Sequence, residues 1–225
     1  MKILLPHSES KITGGEDSWN EVASLRDDKL SSSRLVLADA LRKENVVNLK
    51  GSKENKENNH LLNSNLRSEL TLPSYQRYDG VVYRNLGYYT LKAKAQENAL
   101  SSIIVISPLG GVENFTELLP NYKFSFSSII PNVGKVLKYW EIFFINNQGI
   151  LPKDESYLSL LPNEHATLLP SLGIKVMSLE FSSIRGHESK KVKGLLCREL
   201  VSSKNIEDEV YKLRNKYKYT IKSEK

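Results

Sequence analysis

The sequence predicts an α/β fold, with α+β as the alternative class, built around a mixed β-sheet in one large domain or two small ones. The chain has 225 residues, of which 40% are hydrophobic and 26% are charged, and this balance is ordinary for a folded globular protein. Short apolar runs typical of buried strands lie between longer segments with the apolar spacing of helices. Since these segments do not repeat as regular βαβ units, we expect both parallel and antiparallel strands in the sheet.

Short apolar or alternating runs predict the strands. The clearest buried strand is the run Ile103-Ile104-Val105-Ile106, and Pro6 ends another near the N-terminus. The turn dipeptide Asp79-Gly80 is followed by β-forming residues, which indicates extended structure there as well. The segments predicted as strands are residues 2–5, 103–106, 123–127, 176–181 and 217–221.

Helical spacing and capping residues predict the helices. Ser31, Ser32 and Ser33 offer N-caps for the first of them, in which Leu37 and Leu41 are four residues apart. The segments predicted as helices are residues 34–44, 91–100, 133–145, 187–202 and 206–217.

One stretch of the chain is strongly polar and lies between predicted elements. Residues 49–65 contain a glycine, several asparagines and alternating Lys and Glu. This composition makes residues 45–65 the best candidate for a mobile insertion, which is too short to be a domain of its own.

The charge of the chain is unevenly distributed. The net charge is +6, and residues 185–225 contain 12 Lys and Arg against 6 Asp and Glu, whereas residues 1–184 contain 20 of each. A localised excess favours anionic partners such as phosphates or nucleic acid, although a solvated helix surface with a basic tail is the alternative interpretation. No apolar run is long enough for a membrane span or a signal peptide, so we expect a cytoplasmic protein without a membrane partner.

The helix predicted at residues 187–202 concentrates this charge. Its apolar face comprises Val192, Leu195, Leu196 and Leu200. Lys190 and Lys193 lie on the edge of that face, where partial desolvation strengthens their attraction for an anion. The missing side chain of Gly194 admits a ligand or another backbone close to the helix. Cys197 on the same stripe is expected to be a small buried hydrophobe.

Metal and nucleotide motifs are not found in the sequence. The four histidines and the single cysteine have no ligand spacing, and the glycine pairs at residues 14–15 and 110–111 are expected to be turns. We predict no metal site and no cofactor.

Four separated segments together resemble the YaaA family of bacterial peroxide-stress proteins, most nearly its actinobacterial members. They are residues 4–11 (LLPHSESK), 77–83 (RYDGVVY), 111–123 (GVENFTELLPNYK) and 187–194 (HESKKVKG). The last segment matches the lysines and glycine of the family's late motif at Lys190, Lys193 and Gly194. The chain departs from the family pattern at His7, Asn114, Phe115, Lys123 and Asp154.

The resemblance implies a fold and a function. It implies a single compact domain over residues 1–225, with a curved mixed sheet and a helix-hairpin-helix-like protrusion. It also implies non-specific binding to duplex DNA and a role in limiting iron-driven damage during peroxide stress. The hairpin falls within residues 45–65, where backbone N–H groups and lysines can hold a phosphate without reading sequence. The nucleic-acid-binding candidates are Lys50, Gly51, Ser52, Lys53 and Lys56.

Two other functions remain open from the residues alone. The first is an enzyme or small-anion binder that holds a phosphate-, carboxylate- or nucleobase-type ligand in a lysine-lined pocket. The candidates for this pocket are Ser8, Lys11, Lys123, Lys190, Lys193 and Gly194. The second is a protein-interaction module whose basic end meets an acidic partner. No residue is predicted to be catalytic, and we expect a monomer.

Overall fold

The computed structural model describes residues 1–24, 29–43, 49, 52–181 and 184–224. Within these residues the strands are β1 (Lys2–Pro6), β2 (Leu72–Pro73), β3 (Ile103–Ser107), β4 (Gly111–Asn114), β5 (Leu118–Leu119), β6 (Ile129–Ile130), β7 (Gly134–Lys135), β8 (Tyr157–Ser159), β9 (Val176–Phe181) and β10 (Tyr219–Glu224). The helices are α1 (Trp19–Ser24), α2 (Lys29–Lys43), α3 (Lys53–Ser64), α4 (Ser74–Arg77), α5 (Val81–Leu86), α6 (Ala93–Ser102), α7 (Val136–Asn146), α8 (Asn163–Ala166), α9 (Leu169–Leu172), α10 (Gly186–Ser202) and α11 (Ile206–Tyr217). A short 3₁₀-helix at Tyr88–Thr90 lies between α5 and α6.

A six-stranded mixed sheet organises the fold. Its strand order is β10-β9-β8-β1-β3-β4. The four central strands β9, β8, β1 and β3 are parallel, and the two edge strands β10 and β4 pair antiparallel to their neighbours. This arrangement confirms the predicted mixed α/β architecture.

The centre of the sheet is its most apolar part. All five residues of β3 are buried, as are Ile3, Leu4 and Leu5 of β1. Continuous apolar runs of this kind are typical of parallel strands that are covered on both faces. Burial of these side chains holds β1 in place, and the ends of β1 and its neighbour β8 position the candidate site.

Helix α10 packs on α5, α6 and α11 and connects the sheet to the basic end of the chain. Its buried residues include Val192, Leu196 and Leu200, as the apolar spacing predicts, and Cys197 is also fully buried. Burial raises the pKa of the Cys197 thiol to about 12, so the thiol is neutral. The prediction of a small buried hydrophobe is confirmed.

Several predicted elements match the structure closely. β9 and α11 have the predicted limits, and β1, β3, α6, α7 and α10 differ by a few residues at their ends. No helix in the described part of the chain is both long and apolar enough to span a membrane.

The strand predicted at residues 123–127 is wrong, because side chains replace a neighbouring strand as hydrogen-bond partners. The amide of Asn63 donates to the carbonyl of Lys123 at 3.1 Å and accepts from its N–H at 2.8 Å. The hydroxyl of Ser128 accepts from the N–H of Ser125 at 3.0 Å. The backbone of this segment is therefore satisfied without a ladder.

The β-forming residues after Gly80 belong to a helix. Residues Val81–Leu86 form α5, and Val82, Tyr83 and Leu86 are buried. Their packing against α10 and the sheet outweighs their strand preference, which is a weak and context-dependent tendency.

The polar segment contains a helix where its composition predicts a loop. Lys53–Ser64 form α3, and the hydroxyl of its N-cap Ser52 accepts from the N–H of Asn55. α3 packs against α2. The connection between these two helices, residues 44–48, 50 and 51, lies outside the described residues, so the hairpin itself is not described.

Candidate functional site

A cavity of about 640 Å³ opens at one end of the sheet. Its walls come from the segments that directly follow the carboxyl ends of β1, β8 and β9, together with the first residues of α5. The volume lies within the range of about 300–1,000 Å³ that small-molecule sites usually occupy.

The position of the cavity follows from the strand order. The chain passes from β1 to β3 on one side, and it returns to β8 on the other side of β1. When the loops after two neighbouring parallel strands run in opposite directions, a crevice opens at the carboxyl ends of these strands. Open α/β sheets bind ligands in such crevices. The topology therefore places the cavity where a ligand site is expected.

The rim of the cavity is cationic. Arg84, Arg185 and Lys190 are exposed and line the opening. Arg84 lies 3.9 Å from Asp79 in an exposed ion pair, whose energy is small. Among the described residues that line the cavity, Glu9 is the one carboxylate. This excess of positive charge favours an anionic ligand.

Lys193 lies deeper than the rim. Its side chain is half-buried, and its Nζ donates to the carbonyl oxygen of Leu161 at 2.9 Å. Burial lowers the pKa of Lys193 to about 8. Lys190, one helical turn earlier, lines the same cavity, whereas Lys191 is not part of the described lining. Both of these lysines are exposed.

Two histidines line the inner part of the cavity. His7 follows β1 and His165 lies in α8, and their rings stack with centroids 5.3 Å apart. Burial, followed by the charges of Lys193 and Lys190, lowers the pKa of His165 to about 4. Burial and the nearby Lys11 hold the pKa of His7 well below its usual range. Both imidazoles are therefore neutral at neutral pH.

Ser8 joins the first strand to α5. It is buried, and a Cβ on Gly80 would lie 2.2 Å from the Ser8 hydroxyl oxygen, so the missing side chain at position 80 lets Ser8 pack closely against the start of α5. The hydroxyl of Tyr83 donates to the carbonyl of Pro6 at 2.7 Å. These two contacts fix the wall of the cavity between β1 and α5.

The predicted pocket residues divide between two neighbouring depressions. Of these residues, Ser8, Lys190 and Lys193 line the cavity. Lys11 and Lys123 instead line a smaller cleft of about 160 Å³. Glu9 lines both, so the cleft and the cavity are adjacent.

Lys11 and Lys123 hold the loop between these depressions. The Nζ of Lys11 donates to the carbonyl of Ser8 at 2.7 Å and lies 3.7 Å from the centroid of the Tyr122 ring. The Nζ of Lys123 donates to the carbonyl of Glu9 at 2.9 Å. Both lysines thus act on the backbone of the loop that carries Ser8.

Gly194 packs against another helix instead of facing a ligand. It is buried, and a Cβ at this position would lie 2.4 Å from the carbonyl oxygen of Val82 in α5. Of the two roles that the sequence suggests, the close approach of another backbone is the one that the structure shows. Gly194 is also not part of the described cavity lining.

The nucleic-acid-binding candidates lie on or before α3. Lys50 and Gly51 are outside the described residues. Lys53 and Lys56 are exposed, and Lys53 pairs with Glu57 at 4.0 Å. Lys56 lies one helical turn before Asn59, which lines the smaller cleft. The lysines of α3 therefore continue the surface that includes the cleft and the cavity.

A buried acid network, which the sequence does not reveal, supports the loop behind the cleft. The carboxylate of Glu113 accepts from the hydroxyl of Tyr78 at 2.8 Å and from that of Ser107. The hydroxyls of Tyr78 and Tyr122 are 3.0 Å apart. Burial raises the pKa of Glu113 to about 7. Glu113 and Tyr78 fall within two of the segments that resemble the YaaA family, which is the one signal that the sequence offers for them.

Arg77 is a second residue whose role only the structure reveals. It is fully buried, and its guanidinium donates to the carbonyls of Leu119 at 3.0 Å, Gly14 at 3.0 Å, Leu70 at 2.6 Å and Ile12. Four backbone acceptors from three separate segments thus meet at one side chain. Arg77 holds the chain that follows Lys11 against the rest of the fold.

No metal-binding site is found in the described part of the chain. No group of three or more His, Cys, Asp and Glu side chains among those residues could hold a metal ion.

Comparison with known proteins places this architecture in a family. The family model described as "Peroxide stress protein YaaA" matches residues 1–225. UPF0246 protein SCO2297 of Streptomyces coelicolor is 26% identical over 220 residues, which cover 90% of this chain and 84% of the relative. UPF0246 protein CE1889 of Corynebacterium efficiens is 32% identical over 134 residues, or 58% of this chain and 53% of the relative. A UPF0246 protein of Streptococcus pneumoniae is 23% identical over 212 residues, with 90% and 86% coverage. The chain belongs to the YaaA family of peroxide stress proteins.

Proposed function

We propose that this member of the YaaA family binds the phosphate backbone of duplex DNA without sequence preference, and that it thereby limits iron-driven damage during peroxide stress. The observation that supports the proposal is the cationic cavity rim. Arg84, Arg185 and Lys190 surround one concave opening, with Glu9 as the one carboxylate among the described lining residues. Contacts of this type fix a protein on DNA but carry no sequence information.

The lysines of α3 extend the proposed DNA-binding surface. Lys53 and Lys56 are exposed, and the face of α3 that carries Lys56 and Asn59 leads to the cleft beside the cavity. A duplex bound across this surface contacts the lysines of α3 at one end and the cationic rim of the cavity at the other. The adjacent helices α2 and α3 are consistent with the helix-hairpin-helix-like element that the family resemblance implies.

Displacement of counterions gives a physical route to protection. Ferrous iron associates with DNA phosphates as a cation, and lysines or arginines that neutralise phosphates release the cations condensed there. Peroxide then reacts with iron that is no longer held on the backbone. The proposal needs no metal ligand in the protein, and it implies a cytoplasmic location beside the bacterial chromosome.

Fluorescence anisotropy with duplexes of unrelated sequence tests DNA binding. We expect equal affinities for the duplexes and a linear fall of log K with log salt, with a slope of about −0.9 for each phosphate contact. The absence of binding at about 50 mM salt, where screening is weakest, would overturn the proposal.

Plasmid nicking by ferrous iron and peroxide tests protection. Saturating protein is expected to reduce nicking at low salt, and this protection is expected to disappear at the salt concentration that releases the protein from DNA. Protection that persists after DNA release would contradict displacement of iron from the backbone.

Binding of a small anion is a second candidate function. The cavity volume and its position at the switch point of the strand order favour it. Calorimetric titration with inorganic phosphate and with adenosine monophosphate tests this function. We expect binding that Lys190→Glu weakens, and equal heats for the wild-type protein and the variant would contradict a ligand site at the rim.

A further inference from the structure

Lys193 differs from the other lysines of its helix in its surroundings. Lys190 and Lys191 are both exposed, the first of them at the rim of the cavity. The half-buried Lys193 also lines the cavity, and its Nζ donates to the carbonyl of Leu161. Within the described residues, no carboxylate forms an ion pair with Lys193. A lysine held in this way has an amine within reach of a ligand and no opposite charge that keeps it protonated.

We propose that Lys193 is a covalent anchor, whose Nζ condenses with the aldehyde or ketone group of a small ligand that also carries a phosphate or carboxylate. The carbonyl end of such a ligand enters the cavity, and its anionic group stays at the rim with Arg185 and Lys190. This assignment adds a site and a ligand class to the DNA-binding surface and does not depend on DNA binding.

The reaction balances without an oxidant or a metal. The neutral Nζ attacks the carbonyl carbon and forms a carbinolamine, and loss of the former carbonyl oxygen as water leaves a C=N bond to Nζ. The amine loses both protons of its neutral form, and these leave with the oxygen as water. The neutral imidazole of His165 lines the same cavity and is available to carry a proton between the two positions.

Burial supports the required protonation state. The pKa of Lys193 is lowered to about 8, so about a tenth of its amine is neutral at pH 7, against well under a hundredth for an ordinary lysine. Desolvation of an amine in a pocket is one of the ways in which imine-forming lysines are activated. The condensation breaks the hydrogen bond from Nζ to the carbonyl of Leu161.

Pyridoxal 5′-phosphate, which has both an aldehyde and a phosphate, is the probe that tests the proposal. The protein is incubated with a substoichiometric amount at pH 7 and reduced with borohydride, and the labelled lysine is identified by peptide mass mapping. We expect most of the label on Lys193. Lys193→Arg, which retains the charge, is expected to be labelled at least tenfold less than the wild-type protein. Lys191→Arg is expected to be labelled to the same extent as the wild-type protein.

Two further measurements decide the outcome. Pyridoxal without the phosphate is expected to label Lys193 at least tenfold less, and equal labelling would overturn the anionic part of the assignment. Label distributed evenly over the exposed lysines of the wild-type protein would overturn the covalent anchor. Circular dichroism and thermal unfolding of Lys193→Arg show whether the variant is folded. If it is not, the wild-type peptide map still identifies the lysine that carries the label.

Discussion

The imidazole rings of His7 and His165 stack with their centroids 5.3 Å apart, although one follows the first strand and the other lies beyond β8. The ring of Phe126 packs edge-on against both, at 6.0 Å from His7 and 4.8 Å from His165. Two cationic imidazoles would repel each other in this position, beside Lys190 and Lys193. The pair is therefore stable as neutral rings, and protonation opposes folding.

The pKa of His165 predicts a loss of stability in acid. It is about 4 in the folded protein against an ordinary value of 6.5, so between these values the unfolded chain binds a proton that the folded chain does not. The free energy of unfolding thus decreases as the pH falls through this window. At pH 5 this one group contributes a loss of about 2 kcal/mol relative to pH 7.

Urea unfolding of His165→Gln at pH 7 and pH 5 measures this effect. The variant is expected to lose less stability than wild type between the two pH values, by up to about 2 kcal/mol. His187→Gln, at an exposed position of the cavity lining, is the matched control and should behave as wild type. An unchanged pH dependence in His165→Gln would contradict the neutral stacked pair.

Glu113 predicts the opposite pH dependence. Its pKa is raised by burial from 4.5 to about 7, so between these values the folded chain retains a proton that the unfolded chain has lost. The free energy of unfolding therefore decreases as the pH rises through this window and remains lowered above it. Glu113→Gln keeps the shape of the side chain and removes this dependence.

The stability of Glu113→Gln relative to wild type is expected to increase by about 3 kcal/mol between pH 4 and pH 8. Guanidinium unfolding at both pH values measures the difference. The exposed variant Glu97→Gln provides the comparison, since loss of a surface pair is expected to change little. A constant difference between Glu113→Gln and wild type at the two pH values would show that the buried carboxylate does not titrate in this range.

Gly194→Ala tests the contact between α10 and α5. Alanine favours a helix interior by about 1 kcal/mol over glycine, but its Cβ would lie 2.4 Å from the carbonyl oxygen of Val82. Overpacking of this kind costs about 1–3 kcal/mol or more, so we expect net destabilisation. Lys191→Ala, on the exposed side of the same helix, controls for helix propensity, and a stabilised Gly194→Ala in thermal unfolding would contradict the tight packing.

Arg77→Lys tests the anchoring of the segment after Lys11. Lysine cannot reproduce the planar fork that reaches four carbonyls at once, and buried carbonyls without partners are costly. We expect a loss of about 3 kcal/mol or more in the free energy of unfolding. The exposed Arg84→Lys is expected to change stability by less than about 0.5 kcal/mol, and equal stability of the two variants would argue against the anchor.

The main parts of the fold could be predicted because they depend on local apolar patterns. The runs that form β1, β3 and β9 and the apolar face of α10 are visible in the sequence, as is the cationic pair Lys190 and Lys193. The histidine pair could not be predicted, since His7 and His165 meet only through the parallel pairing of β1 with β8. Lys11 and Lys193 line separate depressions because of the paths that two loops take in the folded chain. The spacing of residues in the sequence does not predict these paths.

Some predictions failed because tertiary contacts outweighed local preference. The valines after Gly80 belong to a helix because α10 packs against them there. The alternating segment after Tyr122 is not a strand, because Asn63 takes the hydrogen bonds that a ladder would use. In the polar segment, the cap formed by Ser52 and packing on α2 stabilise α3, although the strong polarity and the asparagines of this segment favour a loop.

The affinity for duplex DNA of Lys190→Glu, compared with Lys191→Glu, tests the central claim most directly. Both variants change the net charge equally and lie on the same helix, but of these two lysines Lys190 is the one that lines the described cavity. In fluorescence anisotropy at low salt, we expect Lys190→Glu to bind about tenfold more weakly and its salt slope to decrease in magnitude by about 1. Lys191→Glu is expected to stay within about twofold of wild type. Equal affinities for the two variants would contradict the claim that the cavity rim binds the phosphate backbone.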